Sequence, residues 1–459
     1  MRRFLVVDAV ALTPALLRSG VMPRLSAWAE TRRLAPLAPS LPAVTCTGHA
    51  DLLCGAPPRV HGAVGNGWYF RDLAEVWLWR QSAALLQAPT IFDRWREAAP
   101  AARTAQLFWW WNLPSRADLS LTPRPTYWAD GRKGPDVHSW PPELRRRLRR
   151  RLGDFPLFQF WGPGAGIRST RWIVDAVLDV LAEERPALTL AYLPHLDYDL
   201  QRFGPEGPEA RRAAAELDAE LARLLARADA DGIETIVLSG YGIEPVARAA
   251  FPNRALREAG LLAVHPAANG ALLDPGRSRA FAVCDHQCAH VYVAAPADRP
   301  AVRALLAGLE GVAEVLEGAE LAARGLDHPR SGELFLLAAP GWWFAYPYWA
   351  GDDAEPDFAR TVDIHRKPGY DPCELFLDPA RPLLKARLAL KLLAKAAGFR
   401  TVFDVVPLDP GLVRGSHGRP PASPERGPLW LGPAELLPSG AEPLPAWRAL
   451  ERVTPAESP

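Results

Sequence analysis

Phe4-Leu5-Val6-Val7-Asp8, close to the start of the chain, is a short apolar run that ends on a carboxylate. A continuous apolar run of this length, bounded by a polar residue, predicts a strand that is buried on both faces of a parallel sheet. The carboxyl ends of such strands form the rim at which α/β proteins build their sites. We therefore expect Asp8 to lie at the edge of a functional site.

Further apolar runs alternate along the chain with longer stretches of helical periodicity. The predicted strands are Leu5–Val7, Thr104–Phe108, Leu188–Leu193, Thr235–Leu238 and Phe281–Val283, and the predicted helices are Ile173–Glu184 and Glu209–Asp229. Strands that alternate with long helices are typical of a sheet covered by helices on both faces. The sequence thus predicts an α/β fold with a mostly parallel central sheet.

Three regions depart from this alternation. Residues 109–168 are rich in Trp, Pro and Arg and predict an irregular insertion, and residues from about 246 to 360 predict a small αβ side subdomain. Residues 408–459 are rich in proline with weak periodicity, which predicts an extended strap or a disordered tail. We expect residues 1–407 to form one domain around the central sheet.

Composition limits the possible partners. The 459 residues carry a formal net charge of +1, which gives no reason to expect binding to a nucleic-acid polymer or a membrane surface. No apolar stretch is long enough to span a bilayer, and no secretory segment precedes the first strand. The five cysteines form no CxxC pair, which favours reduced thiols. We expect a cytoplasmic protein that acts on a small molecule.

One dense basic cluster stands out in this nearly neutral chain. Residues 143–152 read ELRRRLRRRL, with Leu144, Leu148 and Leu152 four residues apart. This spacing predicts the solvated face of a short helix.

Two segments after Asp8 contain side chains suited to phosphoryl chemistry. Thr45 lies within PAVTCTGH at residues 42–49, and Asn66 follows in a Gly-rich stretch. A hydroxyl at a helix N-terminus faces amides that favour an anion, although Thr45 is alternatively a helix-capping residue. An acid for a metal, a hydroxyl nucleophile and an Asn donor together indicate a phosphate-ester hydrolase.

From Asp8 to Asn66 the chain resembles the alkaline phosphatase superfamily, in its type I phosphodiesterase/nucleotide pyrophosphatase branch. In that branch a strand-end Asp binds zinc, a Thr in a T-x-P-N-H-type turn is the nucleophile, and an Asn in a G-x-x-x-x-x-H-G-x-x-x-N segment holds phosphoryl oxygens. Asp8, Thr45 and residues 55–66 match these motifs, and Asn66 lies 21 positions after Thr45. The resemblance implies an alkaline-phosphatase-like fold, a phosphoester substrate, and Thr45 and Asn66 as catalytic residues.

Two metal-binding motifs of the branch are altered in this chain. The P-D-x-x-G-H-x-x-G-P turn corresponds to residues 194–205, in which Asp197 is retained and Gln201 stands in place of His. The S-D-H-G-M motif is replaced by a segment in which Gly240 and Tyr241 take the places of Asp and His. A neutral amide oxygen is a poor zinc ligand and suits harder cations.

The last motif, His-Gly-Tyr-Asp, is changed as well. Gly-Tyr-Asp survives at residues 369–371, Pro368 takes the place of the His, and His365 lies three residues upstream of Pro368. The metal ligands that the resemblance implies are Asp8, Thr45, Asp197 and His365. It implies a divalent metal, zinc by family precedent, with Mn²⁺ or Mg²⁺ possible because the ligands are altered.

A second group of ligand-type residues offers a way to rebuild the site. Asp285, His286 and His290 lie at or beside the end of a predicted strand, and His195 lies two residues before Asp197. An even spacing on a strand directs two side chains to the same face. These residues are candidate metal ligands, and alternatively histidines that pack and hydrogen-bond without a metal.

Aromatic residues are concentrated in three places. They are Trp68 with Tyr69, Trp109–Trp111, and the run Trp342–Trp349. Such rings either pack in the core or form a wall that stacks a substrate ring over the site. Because the resemblance puts the neighbours of Asn66 beside the leaving group, Trp68 and Tyr69 are predicted substrate contacts.

The sequence therefore predicts a divergent metal-dependent phosphoric ester hydrolase of the phosphodiesterase/nucleotide pyrophosphatase type. Two alternatives remain open. One is a catalytically impaired descendant that binds a phosphorylated metabolite or a protein partner. The other is a hydrolase that acts on a sulfate or phosphonate ester.

Overall fold

The computed structural model describes residues 2–130, 132–399, 401–440 and 442–455. Its strands, in chain order, are β1 (Phe4–Ala9), β2 (Arg33–Ala38), β3 (Gly67–Phe70), β4 (Glu75–Leu78), β5 (Thr104–Leu107), β6 (Leu119–Pro123), β7 (Thr126–Tyr127), β8 (Lys133–Gly134), β9 (Val137–Trp140), β10 (Leu188–Leu193), β11 (Glu234–Leu238), β12 (Glu244–Pro245), β13 (Arg248–Ala250), β14 (Val264–Ala267), β15 (Gly270–Leu273), β16 (Ala280–Asp285), β17 (Cys288–Val293), β18 (Val312–Glu317), β19 (Leu334–Ala338), β20 (Trp342–Phe344), β21 (Gly415–Ser416), β22 (Leu429–Gly432) and β23 (Leu444–Pro445). Its α-helices are α1 (Pro14–Arg18), α2 (Pro23–Ala29), α3 (Thr45–Cys54), α4 (Pro58–His61), α5 (Ile91–Ala98), α6 (Pro142–Leu152), α7 (Ile167–Glu183), α8 (His195–Phe203), α9 (Pro208–Ala230), α10 (Pro252–Glu258), α11 (Arg299–Ala307), α12 (Ala319–Ala323) and α13 (Leu384–Ala396).

The central sheet of the described residues has nine strands, in the order β23-β2-β22-β11-β1-β10-β5-β6-β9. The five strands from β11 to β6 in this order run parallel to one another. Strands β22 and β9 run antiparallel to their inner neighbours. The predicted α/β fold with a mostly parallel sheet is confirmed.

Strand β1 is buried along its whole length because helices cover both of its faces. Leu5 and Val7 join a core cluster with residues of α7 and α9, whereas Phe4 and Val6 join a second cluster with residues of α3 and α5. Full burial of one such side chain stabilises the fold by roughly 1.5–3 kcal/mol. Because successive side chains of β1 pack into opposite clusters, the strand is held on both faces, and this holds Asp8 in place near its carboxyl end.

A second sheet holds the strand predicted at Phe281–Val283. Strands β16, β17, β19 and β18 pair antiparallel in that order, within the range predicted as a side subdomain. Its core packs against β3 and β4 through residues such as Tyr69 and Leu78. None of the described helices is both long and apolar enough to cross a bilayer.

Two regions are more ordered than the sequence predicted. Within 109–168, β6 and β9 extend the central sheet. Within 408–459, of which residues 441 and 456–459 lie outside the described residues, β22 inserts between β2 and β11 with Trp430 fully buried. Prolines flank the four residues of β22, so its apolar run is too short to show periodicity.

Candidate functional site

The ends of three neighbouring strands bring the predicted residues to one rim. Asp8 on β1 pairs in register with Tyr192 on β10 and Leu238 on β11. The chain that leaves β10 enters α8, which carries Asp197, and the chain that leaves β11 reaches Tyr241. Buried parallel strands thus gather these side chains within one enclosed region.

Asp8 is held by a histidine of α3. His49 Nε2 lies 2.8 Å from Asp8 Oδ2, and His49 Nδ1 accepts a hydrogen bond of 2.9 Å from the backbone N–H of Trp110. Because Nδ1 is an acceptor, the ring proton lies on Nε2, and neutral His49 donates to the carboxylate. Asp8 Oδ1 is buried and has no hydrogen-bond partner among the described residues.

Thr45 is the first residue of α3 and lies beside Tyr241. Its side chain is nearly buried, with a residue exposure of 9%, and Thr45 Oγ1 is 3.1 Å from Tyr241 Oη. Tyr241 Oη in turn donates to Asp197 Oδ1 at 3.2 Å. Because the phenol has one proton and gives it to Asp197, the Thr45 hydroxyl donates to Tyr241. Burial raises the pKa of Tyr241 well above its usual value, so the phenol stays protonated.

Asp197 is the centre of this hydrogen-bond network. Gln201 Nε2 donates to Asp197 Oδ2 at 2.8 Å, and Gln201 Oε1 accepts from Tyr370 Oη at 2.8 Å. Burial raises the pKa of Asp197 to about 7, against the opposing effect of the hydrogen bonds from Tyr241 and Gln201. Both carboxylate oxygens and the Gln201 carbonyl are therefore already engaged by protein donors.

Asn66 is fixed between α3 and the second sheet. Its Oδ1 accepts from the backbone N–H of Cys46 at 3.0 Å, and its Nδ2 donates to Asp285 Oδ1 at 2.9 Å. Asp285 Oδ2 accepts from the Asn66 backbone N–H at 2.8 Å, and His286 Nδ1 lies 2.8 Å from Asp285 Oδ1. Asp285, predicted as a metal ligand, thus holds Asn66 in place.

His417, which no motif in the sequence predicted, follows β21 and lies inside this region. Its Nδ1 donates to the carbonyl of Ala43 at 2.8 Å, so its Nε2 keeps a lone pair, which faces Asp197 Oδ1 at 3.9 Å. Nε2 is buried without a hydrogen-bond partner among the described residues. The imidazole ring of His417 stacks on the Tyr241 ring, with 3.6 Å between ring centroids, and its centroid lies 3.7 Å from that of the His286 ring. Burial, with a smaller effect of His286, lowers the pKa of His417 well below its usual value.

Three histidines that sequence analysis proposed as ligands lie elsewhere. His290 Nε2 donates to the carbonyl of Val64 at 2.7 Å, and His195 Nε2 lies 2.9 Å from a carboxylate oxygen of Glu216. His365 is exposed at the surface. The even spacing of His286 and His290 does not align them, because His286 occupies the hairpin turn between β16 and β17 with a φ of 61°.

The predicted substrate contacts Trp68 and Tyr69 both pack against other rings, with Trp68 buried and Tyr69 half-buried. Trp68 stacks on Phe70 at 5.3 Å, and Tyr69 packs against Phe281 of the second sheet at 5.0 Å. Trp109 stacks on His49 at 4.5 Å, which supports the ring that holds Asp8. These contacts agree with the first of the two alternatives for the rings, packing that removes large apolar surfaces from water.

A buried ion triad supports the Gly-Tyr-Asp segment. Lys367 Nζ lies 2.7 Å from Asp371 Oδ2 and 2.8 Å from Glu374 Oε1, and its side chain is 1% exposed. Burial acts against the ammonium, but the two carboxylates raise the pKa of Lys367 above its usual value. A Cβ at Gly369 would lie 2.5 Å from Tyr346 Cβ, so glycine is needed at this close approach. The triad thereby fixes Tyr370 beside Gln201.

A model of the Type I phosphodiesterase / nucleotide pyrophosphatase family matches residues 4–371. The chain belongs to this family. An uncharacterized pyrophosphatase/phosphodiesterase of Schizosaccharomyces pombe is 27% identical over 235 residues, which are 49% of this chain and 41% of the yeast protein. The chain thus spans about two fifths of the length of that relative.

Two solved structures share the fold. Phosphonoacetate hydrolase of Sinorhizobium meliloti 1021, in complex with phosphonoformate, has a TM-score of 0.59 at 18% identity and covers 98% of this chain and 94% of its own. Murine ectonucleotide pyrophosphatase/phosphodiesterase 5, in an inactive form in complex with AMP, has a TM-score of 0.60 at 12% identity, with coverages of 99% and 94%. The family match confirms the predicted resemblance to the type I phosphodiesterase/nucleotide pyrophosphatase branch.

The match to the phosphodiesterase family model ends at Asp371, before the chain reaches His417. His365 was the predicted ligand because Gly-Tyr-Asp survives four residues after it. The feature of the sequence that could have pointed to His417 is the His-Gly pair that it forms with Gly418. Gly418 has a φ of 119°, and a Cβ there would lie 2.9 Å from Cys288 Sγ.

The donor set does not fit the two-metal centre that the family resemblance implies. No group of three or more His, Cys, Asp or Glu residues in the described ranges converges so as to hold a metal ion. A Cβ at Gly240 would meet only Asp8 Oδ2 within 4 Å, at 3.9 Å, so the position of the family's Asp holds no donor. Tyr241 presents a protonated phenol, which is not a zinc ligand. The predicted zinc, Mn²⁺ or Mg²⁺ therefore lacks a ligand set on the nucleophile side.

Proposed function

We propose that the chain is a divergent phosphoric ester hydrolase in which Thr45 is the nucleophile. The observation that supports this best is the hydrogen-bond chain from Thr45 through Tyr241 to Asp197, at the first turn of α3. Attack by Thr45 Oγ forms a Thr–O–P bond and breaks the P–O bond to the leaving group, and it requires the hydroxyl proton to leave. The hydrogen-bond chain supplies a path for that proton.

In this mechanism Tyr241 relays the proton. Tyr241 Oη receives the proton of Thr45 as it gives its own to Asp197 Oδ1, so the phenol is neutral before and after the transfer. The proposal assigns stabilisation of the developing negative charge on the phosphoryl oxygens to the first turn of α3, apart from the Cys46 amide, which donates to Asn66 Oδ1. Water then hydrolyses the Thr45 ester and releases the phosphoryl group.

The metal-dependent form of this reaction has weaker support. Asp8, predicted as the zinc ligand next to Thr45, accepts from His49, and a Cβ at Gly240, the position of the family's Asp, would meet only Asp8 Oδ2 within 4 Å. The proposal therefore assigns activation of Thr45 to Tyr241 and Asp197. Five free, buried cysteines support the predicted reducing, cytoplasmic location.

Binding without turnover is the second candidate function. It is favoured by Gly240 and Tyr241, which replace two ligands of the family, and by the near-complete burial of Thr45. A phosphorylated metabolite would then bind at the start of α3 without being hydrolysed. The sulfate or phosphonate ester alternative rests on the fold similarity to phosphonoacetate hydrolase alone.

Replacing Tyr241 by Phe is expected to lower kcat for a chromogenic aryl phosphodiester by about 10²–10⁴-fold, as for loss of a general base. The ring, and with it the stacking on His417, remains, so only the hydroxyl is tested. The matched control is Tyr348→Phe, which removes a buried hydroxyl that donates to the carbonyl of Ala271. If Tyr241→Phe turns over the substrate as fast as the control, Tyr241 does not relay the proton. If the wild-type protein shows no turnover, the binding function is favoured.

A further inference from the structure

Helix α13 and the residues after it carry an unusual set of exposed apolar side chains. The α13 patch consists of Leu383, Leu390, Leu392, Leu393, Phe399 and Val402. Each of these residues is between 56% and 79% exposed. Soluble surfaces rarely expose so many large apolar side chains over so short a segment, which marks an interaction site.

The helix docks on the protein by its opposite side. Leu384 and Leu388 pack against a small core cluster that includes Val405 and Val413. At helical spacing, Leu390 and Leu393 lie on the face directed away from this cluster, with Leu383 two turns before Leu390. The face of α13 that is directed away from the protein is therefore apolar.

The segment that carries the α13 patch has an excess of positive charge. Residues 378–404 contain six Lys or Arg residues and two Asp residues. Arg381 and Lys391 both pair with Asp404, whereas Arg387 makes no ion pair with a described residue. On helical geometry Arg387 borders the apolar face.

The other basic helix of the chain is different. In α6, Arg145 pairs with Asp136, and Arg147 and Arg151 both pair with Asp179. Its leucines, Leu144 and Leu148, are buried. The arginines of α6 are thus largely neutralised by carboxylates, and its leucines are buried, as in a helix that exposes only its polar face to solvent.

We propose that α13 lies in the interface of an anionic lipid surface, with the α13 patch inserted among the acyl chains and Arg387 at the headgroups. Exposed leucines on one face, bordered by Arg387, form the combination that such interfacial helices use. Anionic headgroups complement the charge, and acyl chains complement the apolar face. The contact is peripheral, and it does not depend on the proposed hydrolase function.

The test is co-sedimentation of the full chain with vesicles of phosphatidylcholine alone and with vesicles that contain about 30% phosphatidylglycerol. We expect binding to the anionic vesicles that weakens as salt rises. The double substitution Leu390→Glu with Leu393→Glu should reduce this binding at least ~10-fold, because it places carboxylates in the inserted face. Its hydrolysis of a soluble substrate should match that of the wild-type protein, which shows that the variant is folded.

The matched control is Arg146→Gln with Arg150→Gln on α6, which lowers the net charge by the same amount. It should bind anionic vesicles like the wild-type protein. Equal binding by the leucine variant, or loss of binding in the α6 control, would overturn the assignment. An absence of vesicle binding by the wild-type chain would also overturn it. The α13 patch would then have another partner, either an acidic protein or a second copy of the chain, and sedimentation velocity would detect the second copy.

Discussion

Thr45→Ala is expected to lower kcat/KM for an aryl phosphodiester by more than about 10³-fold, because the attacking oxygen is lost. Tyr241 and Asp197 remain in this variant, but no group is left to form the bond to phosphorus. Thr45→Ser keeps the hydroxyl at the start of α3 and is expected to retain part of the activity. The measurement is steady-state release of the chromogenic phenol.

The control for this change lies two residues further along the same helix. Thr47 is buried, and its hydroxyl donates to the carbonyl of Ala63 at 3.2 Å. Thr47→Ala should cost about 1 kcal/mol of stability and leave turnover within a few-fold of the wild type. Undiminished turnover by Thr45→Ala would show that the nucleophile is another group.

Lys367→Met is expected to lower the free energy of unfolding by about 3–5 kcal/mol, because it leaves two buried carboxylates without their cation. Asp371 and Glu374 both lie within 2.8 Å of the ammonium. Burial raises the pKa of Glu374, so its carboxylate depends on Lys367 to stay charged. Denaturant unfolding followed by tryptophan fluorescence measures the loss.

Lys391→Met is the matched control for the buried lysine. Lys391 pairs with Asp404 at the surface, where side chains of the pair are 33% and 40% exposed. An exposed pair of this kind contributes about 0–1 kcal/mol. Equal losses in the two variants would contradict the structural role assigned to the Lys367 triad.

Much of the central sheet could be predicted from sequence because its strands are short apolar runs buried on both faces. β1, β10 and β11 coincide with predicted strands to within a residue or two. β22 could not be predicted in the same way, since four residues between prolines resemble a loop. Its partner strands lie far away along the chain, and only the fold brings them together.

The candidate site shows a similar division. Asp8, Thr45, Asn66 and Asp197 follow from motifs and strand ends, and the structure gathers them at one rim. His417 lies 47 residues after Tyr370, beyond α13, so local sequence gives no link between them. Tyr241 could be recognised as a lost ligand, but its hydrogen bonds to Thr45 and Asp197 depend on the meeting of three separate segments.

We propose that a tyrosine-linked hydrogen-bond network replaces the two-metal centre that the family resemblance implies. A double change tests whether the metal site can be restored, since a Cβ at Gly240 meets only Asp8 Oδ2 within 4 Å. Gly240→Asp with Tyr241→His supplies the Asp and His of the family motif beside Asp8. We expect the double variant to bind zinc more tightly than the wild type.

The most direct test is the metal content of the purified protein, measured by inductively coupled plasma mass spectrometry after dialysis against zinc and then against metal-free buffer. The wild-type chain is expected to retain far less than one zinc ion per chain and to hydrolyse the aryl phosphodiester equally well with and without a chelator. Retention of about two zinc ions per chain, with turnover abolished by the chelator, would contradict the account and restore the two-metal mechanism.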